Sequence, residues 1–409
     1  MGIFGPAPGP ESASREVPLR RIRVITKLFQ CLVTLAAVAI VVLVPVAASA
    51  QITPAGGSAA GDDTQPPSAR VGAVIFYDYT FQSAPKAADA GGATISPNSF
   101  NVTRAYLNIT GNISHVVSYR ITPDINATRF AQTGDSTNSL NGSLVFRLKY
   151  AYAQLALTDW TGKFTASYAR LGVQQTPFVD YEESIYRYRF QGTVFAERDG
   201  GLSSSDAGVS FHANLPSNYG DFHVGVYNGE NYNKGEVNDQ KGLMIRGTLR
   251  PVPGGSAFAR GIRITGFQVS DHVLKNAERT RSYVNVLLEQ RHYNVNLDVL
   301  LKKTDQSLPT ATVVRQDGYS IFVTPFFNEK GNGWEMLLRY DSLRPGKSDA
   351  VASDRRQNRT IVGLAYWFPH PGGNGTAALM LDYEGVRFKD YATPQLKQNR
   401  IFVHGLINF

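Results

Sequence analysis

The segment 175–205 concentrates charged side chains between two apolar, strand-like runs. Its acidic residues include Asp180, Glu182 and Glu183. Its basic residues include Arg187, Arg189 and Arg198. The chain has no G-x-S-x-G motif, no phosphate-binding glycine loop and no His-x-x-x-His pair, so nothing indicates a nucleophile, a nucleotide site or a metal site. Charges of both signs in one long connection favour a different chemistry, the selection of ions by electrostatic attraction and repulsion.

The elements that would hold this segment are β-strands. From residue 70 to the end, runs of about ten residues alternate apolar and polar side chains, and we count sixteen of them. Ten residues cross a bilayer at the tilt of a barrel strand. An even number of strands is typical of single-chain bacterial outer-membrane barrels. The pattern therefore predicts a transmembrane antiparallel up-and-down β-barrel of sixteen strands.

The connections between these runs support the same fold because their lengths alternate. We predict long connections at 125–142, 175–205 and 271–280, for example, with short Gly/Pro/Asn turns between them. Long external loops alternating with short periplasmic turns are typical of such barrels. The connection 175–205 is the longest at 31 residues, and we expect it to fold inward as the third extracellular loop and narrow the lumen.

The last run, RIFVHGLINF, ends the chain on Phe409. Ile401, Val403 and Ile407 share its apolar face. Because a closed barrel has no free edge, we predict that this strand pairs with the first one. Outer-membrane barrels characteristically end in this way, so we interpret Phe409 as an assembly signal read by the barrel-assembly machinery. Deleting it should impair folding rather than conductance.

The polar faces of the predicted strands carry many charges, which a packed interior would not tolerate. With sixteen strands the lumen is wide enough for water. The expected basic residues of the lumen wall are Arg104, Arg120, Arg147, Arg170, Arg246, Arg263 and Arg339. Aromatic residues near strand ends, such as Tyr150, Trp160, Trp334, Tyr340 and Tyr366, fit the girdles at the two membrane interfaces. The sequence thus predicts a pore.

The N-terminal region has the order of a secretory signal peptide. A basic cluster ending at Lys27 precedes an apolar stretch and then Ala48-Ser49-Ala50, so we predict a signal peptide over 1–50 with cleavage near Ala50. Residues 51–69 are rich in Gly, Pro and Ser and are expected to form a flexible periplasmic tail. The barrel would then span 70–409 in the outer membrane of a Gram-negative cell.

The charge balance argues against a nucleic-acid partner. The formal net charge is +8, of which residues 1–50 contribute +3 through five basic and two acidic residues, leaving +5 for the remainder. The arginines after residue 50 do not form a basic run. We therefore expect outer-membrane lipid and small hydrophilic solutes or anions as partners, without a cofactor and without a metal.

Several short motifs resemble the phosphate-selective porin (porin O and P) family. The stretch 169–178, ARLGVQQTPF, is similar to the strand end G-x-x-K-x-P-F of that family, and 225–229, GVYNG, is similar to its G-x-x-N-G strand exit. The stretches 338–342 and 363–367 and the last strand fall where the family has similar strands. The resemblance covers about 70–409. It implies a sixteen-stranded porin, usually a homotrimer, that passes small anions or other solutes.

One departure from the family pattern bears on selectivity. Members specific for phosphate use lysines at the constriction, whereas the connection 175–205 contains no lysine and Gln175 stands where the motif commonly has Lys. A general porin with a mild anion preference is therefore better supported than a phosphate-specific one. Two alternatives remain open, a barrel with a plugged lumen and a structural or adhesive role, and a barrel lipid hydrolase. We expect no enzymatic activity, because no Ser/His pair can be placed at the lipid-facing wall.

Overall fold

The computed structural model describes residues 67–129, 144–311, 313–348, 355–369 and 375–409. The predicted signal peptide and nearly all of the predicted tail lie outside these residues, so both stay predictions. Sixteen long strands follow one another along the chain. They are β1 Arg70–Ala84, β2 Asn98–Asn112, β3 Val117–Arg129, β4 Leu144–Ala156, β5 Thr165–Gln175, β6 Ser205–Asn214, β7 Gly220–Tyr227, β8 Gly242–Leu249, β9 Ile262–Leu274, β10 Ala277–Glu289, β11 Tyr293–Asp305, β12 Val314–Pro325, β13 Gly333–Ser348, β14 Arg356–Phe368, β15 Thr376–Lys389 and β16 Gln398–Asn408.

The strands form one closed antiparallel barrel in which each strand pairs with its neighbours in sequence. The barrel closes between β1 and β16, where Val74 lies opposite Asn408 and Phe81 lies opposite Ile401. Beyond the last paired residue, Phe409 and Ala73 exchange two backbone hydrogen bonds of 2.9 and 3.0 Å. The predicted sixteen-stranded barrel and the pairing of its last strand with its first are confirmed.

Alternation along each strand separates an inner from an outer face. In β8, Leu243, Ile245 and Leu249 are exposed, whereas Arg246 and Thr248 are buried. The last strand behaves in the same way. Ile401, Val403, Ile407 and Phe409 are 39–66% exposed, whereas His404 is 2% exposed. Such an apolar outer face is what a barrel wall presents to lipid, and the polar residues are left to the interior.

The end of the strand pair β9–β10 differs from the prediction. The expected long connection 271–280 is a two-residue turn, Lys275-Asn276, because both strands continue further than their apolar patterns suggested. Asn276 has a φ of +64°, which suits a tight hairpin turn. Polar pairing extends the ladder, since the Arg279 side chain donates to the Asp271 carboxylate across the two strands. The regular alternation of loop lengths therefore breaks at this hairpin.

Tyr150 was wrongly assigned to an aromatic girdle. A β-bulge in β4 shifts the pairing between Tyr150 and Leu148, which turns Tyr150 toward the interior. Its side chain is 5% exposed, and the Arg120 guanidinium lies 4.6 Å from its ring centroid. Trp334 and Tyr366 do pack together on the outer face, with centroids 5.0 Å apart.

The described helices are short. They are α1 Thr158–Thr161, α2 Pro177–Ile185, α3 Phe195–Arg198 and α4 Ala257–Arg260. Among the described residues, none of these helices has the length and the apolar character that a membrane-crossing helix needs. Helices α2 and α3 both belong to the segment 176–204 that joins β5 to β6. That segment carries the charged residues Asp180, Glu182, Glu183, Arg187, Arg189 and Arg198.

Candidate functional site

The segment 176–204 is held together at its base. The Thr176 N–H donates to the Ser204 carbonyl at 3.2 Å, so the two ends of the segment meet directly above β5 and β6. Helix α2 begins at once with Pro177, whose fixed φ suits the first helical position. Because the two ends meet at once and the helix begins at the second residue, most of the 29 residues between β5 and β6 are available for contacts with the barrel wall.

An apolar core joins this segment to inward side chains of the wall. Phe178 is fully buried and its ring lies 4.9 Å from the rings of both Phe267 on β9 and Tyr283 on β10. Tyr186 meets Phe322 of β12 at 5.2 Å between centroids. Burial of aromatic side chains contributes strongly to stability, so this core fixes the segment against one side of the barrel.

Hydrogen bonds between the segment and the wall reach the same side. The Tyr181 hydroxyl donates to Asn285 of β10 at 3.1 Å, and the Gln191 amide donates to Asp382 of β15 at 3.2 Å. In the other direction, Arg339 of β13 donates to the Thr193 carbonyl at 3.0 Å, and Arg281 of β10 donates to the Gly200 carbonyl at 2.8 Å. Within the described residues these side-chain hydrogen bonds fall on β10 to β15, and β2 to β4 receive none.

The three arginines of the segment all form ion pairs. Arg187 pairs with Glu335 of β13 at 2.9 Å, and Arg198 pairs with Glu384 of β15 at 3.1 Å. Glu335 is fully buried and also accepts a hydrogen bond from the Tyr188 hydroxyl at 2.8 Å. These contacts anchor the segment, and they neutralise the cations that make them.

Arg189 remains within the segment. It contacts Glu183 at 2.7 Å and Glu197 at 3.0 Å, so it links α2 to α3. Its guanidinium therefore faces two carboxylates, and the local charge of this cluster is negative. We expect Arg189 to contribute to the rigidity of the segment.

The three acidic residues of α2 lie in different environments. Burial, opposed by Arg170, raises the pKa of Asp180. Burial and the nearby Asp298 carboxylate raise the pKa of Glu182 well above its ordinary value. Burial acts in the same direction on Glu183, but the positive charges of Arg189 and Lys149 outweigh it and lower the pKa of Glu183.

Glu182 lines a cavity of about 10 Å³ together with Asp298 of β11 and Arg339. Its side chain is 3% exposed. Neither carboxylate oxygen has a hydrogen-bond partner within the described part of the chain. Two buried carboxyl groups this close repel each other when both are ionised.

Five of the predicted wall arginines have four carboxylates as ion-pair partners. Arg104 and Arg147 share Asp124, at 2.6 and 3.3 Å. The other pairs on the wall are Arg246 with Asp221, Arg263 with Glu289 at 2.7 Å, and Arg339 with Asp341 at 2.8 Å. The counter-ions Asp124, Asp221 and Glu289 were not predicted from the sequence. Their position on the same strand face as the arginines would have revealed them, but only once the register between strands was known.

The remaining two wall arginines have neutral partners. Arg120 on β3 donates to Asn108 at 2.8 Å and to Thr122 at 3.0 Å. Arg170 on β5 donates to Gln154 at 2.8 Å and to Gln175 at 3.1 Å. Lys149 on β4 lies between them and donates to the Tyr106 hydroxyl at 3.2 Å. Within the described residues none of the three has a carboxylate at ion-pair distance, so this side of the wall keeps its positive charge.

Two histidines meet across the hairpin of β6 and β7. His212 lies directly opposite His223, and their ring centroids are 5.7 Å apart. Both line a cavity of about 60 Å³ together with Asp180, Asp221 and Arg246. Among the described residues no group of three or more His, Cys, Asp or Glu side chains could hold a metal ion.

The architecture is similar to that of known outer-membrane channels. The anion-selective porin from Comamonas acidovorans matches with a TM-score of 0.53 at 11% identity, over 84% of this chain and 100% of that one. The outer membrane channel DcaP of Acinetobacter baumannii matches with a TM-score of 0.53 at 12% identity, over 86% and 100%. The trimer form of OmpT, an outer membrane protein of Vibrio cholerae, matches with a TM-score of 0.50 at 10% identity, over 84% and 100%.

The chain therefore has the fold of the sixteen-stranded outer-membrane porins. At these identities the likeness establishes the fold alone. No protein-family model matches the sequence, and no curated protein matches it. The resemblance to the porin O and P family consequently rests on the short motifs described above.

Proposed function

We propose that this protein is an outer-membrane porin through which small hydrophilic solutes and ions diffuse passively. The observation that carries the proposal is a closed sixteen-stranded barrel with an apolar outer face and a charged inner face. A charged interior is unfavourable unless water or counter-charges reach it. A passive channel needs no reacting groups, and we propose that the protein is not an enzyme.

The permeation path in this proposal runs beside β2 to β5. The segment 176–204 bonds to the opposite wall, β10 to β15, and would act as the inward-folded third loop that constricts the lumen. Arg104 and Arg147 have side chains that are 18% and 20% exposed, which is more than Arg246 or Arg339 retain. Of these four arginines, the two on β2 and β4 therefore retain the most solvent access.

Selectivity in this proposal comes from the electrostatic field of charges on the wall and on α2, since Lys149 and Arg170 are only 3% exposed and would act on passing ions without direct contact. Arg120, Lys149 and Arg170 stand on the wall, and Asp180 and Glu183 stand on α2. Electrostatic interactions of Arg170 and Arg120 reach Asp180, and that of Lys149 reaches Glu183. Because the wall cations lack carboxylate partners, we propose a mild anion preference. A phosphate preference of the porin O and P type would use the same three cations.

The assembly we propose is a homotrimer in the outer membrane of a Gram-negative cell. A trimer form is known for the structurally similar OmpT of Vibrio cholerae. Insertion would depend on the barrel-assembly machinery and on the C-terminal Phe409, after removal of the signal peptide near Ala50. Loss of Phe409 would remove its two backbone hydrogen bonds to Ala73 at the end of the barrel seam.

Planar-bilayer recording of the purified, folded protein tests the proposal. We expect stable conductance steps, and in a KCl gradient a reversal potential on the anion-selective side. Chloride, phosphate and a neutral sugar compared as permeants would then separate a general porin from a phosphate channel. Folded protein that is electrically silent would contradict the proposal.

A barrel with a plugged lumen is the second candidate, and the apolar core of the segment favours it. Phe178, Tyr186, Tyr188 and Phe195 are each 0–1% exposed, so the segment seals the side of the lumen that it covers. A variant without residues 177–203 separates the two functions. For a plug, the full protein is silent and the deletion variant conducts, whereas for a porin both conduct and the deletion variant has the larger steps.

A further inference from the structure

The outer face of the barrel carries cations on one sector only. Among the strand residues whose side chains the structure describes, outward positions of β1 to β8 hold neither lysine nor arginine, whereas six such residues point outward between β11 and β15. We call these six the outer basic row. Its members are Lys302, Arg315, Arg344, Arg356, Arg387 and Lys389.

Alternation within each strand places these side chains on the outer face. Arg315 is two and four residues from Asp317 and the exposed Tyr319 on the same face of β12. Arg387 lies four residues after the exposed Tyr383 and six after the exposed Leu381, on the same face of β15. Lys302 lies opposite Ser282, next to a bulge that keeps the neighbouring Lys303 turned inward, toward the Asp199 carbonyl.

The row lies immediately beyond an aromatic band. Tyr319 and Tyr340 pack together at 6.2 Å between centroids on the outer face, and Tyr383 is exposed on β15. The cations follow these tyrosines toward the barrel end that lies opposite Phe409. Tyrosines mark the interface between the apolar and headgroup regions of a membrane, so the row lies at the height of lipid headgroups.

The row is not neutralised by the barrel itself. Lys302 pairs with Glu278 at 3.5 Å, Arg344 pairs with Asp317, and Lys389 pairs with Asp390 at 3.6 Å. For Arg315, Arg356 and Arg387, the described residues supply no carboxylate at ion-pair distance. Within the described residues, six cations and three carboxylates leave a local charge of +3.

The register also sets like charges against each other. Arg356 of β14 lies directly opposite Lys389 of β15, and Arg387 lies opposite Asn358. Like charges in directly opposed cross-strand positions destabilise a sheet. An anion bound between Arg356 and Lys389 would remove this repulsion, which would explain why two cations occupy opposed positions.

We infer that the outer basic row binds the phosphate groups of an anionic lipid in the leaflet at that end of the barrel. Guanidinium groups bind phosphate with two parallel charge-assisted hydrogen bonds. The adjacent tyrosines would pack against the glycerol or sugar part of the same lipid. This inference rests on the proposed location in an outer membrane, and it does not depend on whether the barrel conducts.

The test compares lipid retention by two variants of the full chain. The first is Arg315→Gln/Arg356→Gln/Arg387→Gln, which removes the three cations that lack carboxylate partners. The matched control is Lys163→Gln/Lys275→Gln/Arg291→Gln, which removes three exposed cations outside the row. Each protein is folded into phosphatidylcholine vesicles doped with diphosphoryl lipid A and extracted in mild detergent, and bound lipid is counted by native mass spectrometry.

We expect the wild type and the control to retain lipid A and the row variant to bind it about a hundredfold more weakly. Equal retention by the row variant, or equal retention of phosphatidylcholine by the wild type, would overturn the inference. Displacement of the lipid by inorganic phosphate at a similar concentration would assign the row to free phosphate instead. Loss of oligomers without loss of lipid in the row variant would assign this sector to a contact between copies.

Conductance recorded on the same samples separates this inference from the proposed function. A silent wild type that retains lipid A would contradict the porin proposal and leave the lipid site standing. A conducting wild type that releases lipid A as easily as the row variant would do the reverse.

Discussion

The two sides of the barrel interior treat their charges differently. On the side formed by β10 to β15, wall carboxylates pair with arginines of the segment 176–204, as in Arg187–Glu335 and Arg198–Glu384. On β3 to β5, Arg120 and Arg170 are held by neutral amide and hydroxyl groups, and Lys149 is held by a tyrosine hydroxyl. The number of arginines in a barrel therefore does not by itself determine the electrostatic potential of the interior. Segment arginines that pair with wall carboxylates fasten the segment, whereas wall cations with neutral partners keep their charge.

Of the substitutions that test this difference between the two sides, removal of an anchoring arginine should have the largest effect. Arg187→Ala leaves the fully buried Glu335 without its cation. Breaking a buried ion pair typically costs about 3 kcal/mol or more, so we expect a clearly lower unfolding temperature and larger, noisier conductance steps. Heat-modified mobility in gel electrophoresis and bilayer recording measure the two effects. Lys275→Ala, at an exposed pair with Asp239, is the control and should change neither.

Substitutions of the wall cations on β3 and β4 should affect stability less than Arg187→Ala does, and ion selectivity more. Arg120→Gln/Lys149→Gln removes two wall cations, and within the described residues no carboxylate loses an ion-pair partner. The reversal potential in a KCl gradient should shift toward that of a cation-selective channel. The alternative that Arg187 and Arg189 set the selectivity is tested in the same experiment with Arg187→Gln/Arg189→Gln. A greater shift from that second variant would reverse the assignment of the two sides.

The finest comparison is between neighbouring carboxylates of α2. Because burial and Asp298 already raise the pKa of Glu182, Glu182→Gln should leave stability unchanged or raise it by about 1 kcal/mol. Glu183→Gln instead removes one of the two carboxylates that hold Arg189, and should lower stability by about 1 kcal/mol. Urea-induced unfolding of both variants in the same detergent measures the difference. Equal effects would show that the two side chains share one environment.

Strand identity was readable from the sequence because it depends on local alternation. The exposed Leu379, Leu381 and Tyr383 share one face of β15, and the buried Asp382 and Glu384 share the other. A bulge defeats this logic, since it shifts the alternation by one residue. The bulge in β4 is why Tyr150 was assigned to the wrong face. The lengths of β9 and β10 were underestimated for another reason, because polar pairs such as Arg279 with Asp271 continue the ladder.

The sequence by itself determined the class of fold, the number of strands and the closing pair of β1 with β16, because a period of two and a terminal apolar strand are local properties. It also identified which residues are charged in the segment 176–204. Only the tertiary structure decided which of those charges meet a partner. Ion pairs such as Arg198 with Glu384 join residues 186 positions apart, and their formation depends on strand register and on the side of the barrel to which the apolar core of the segment binds.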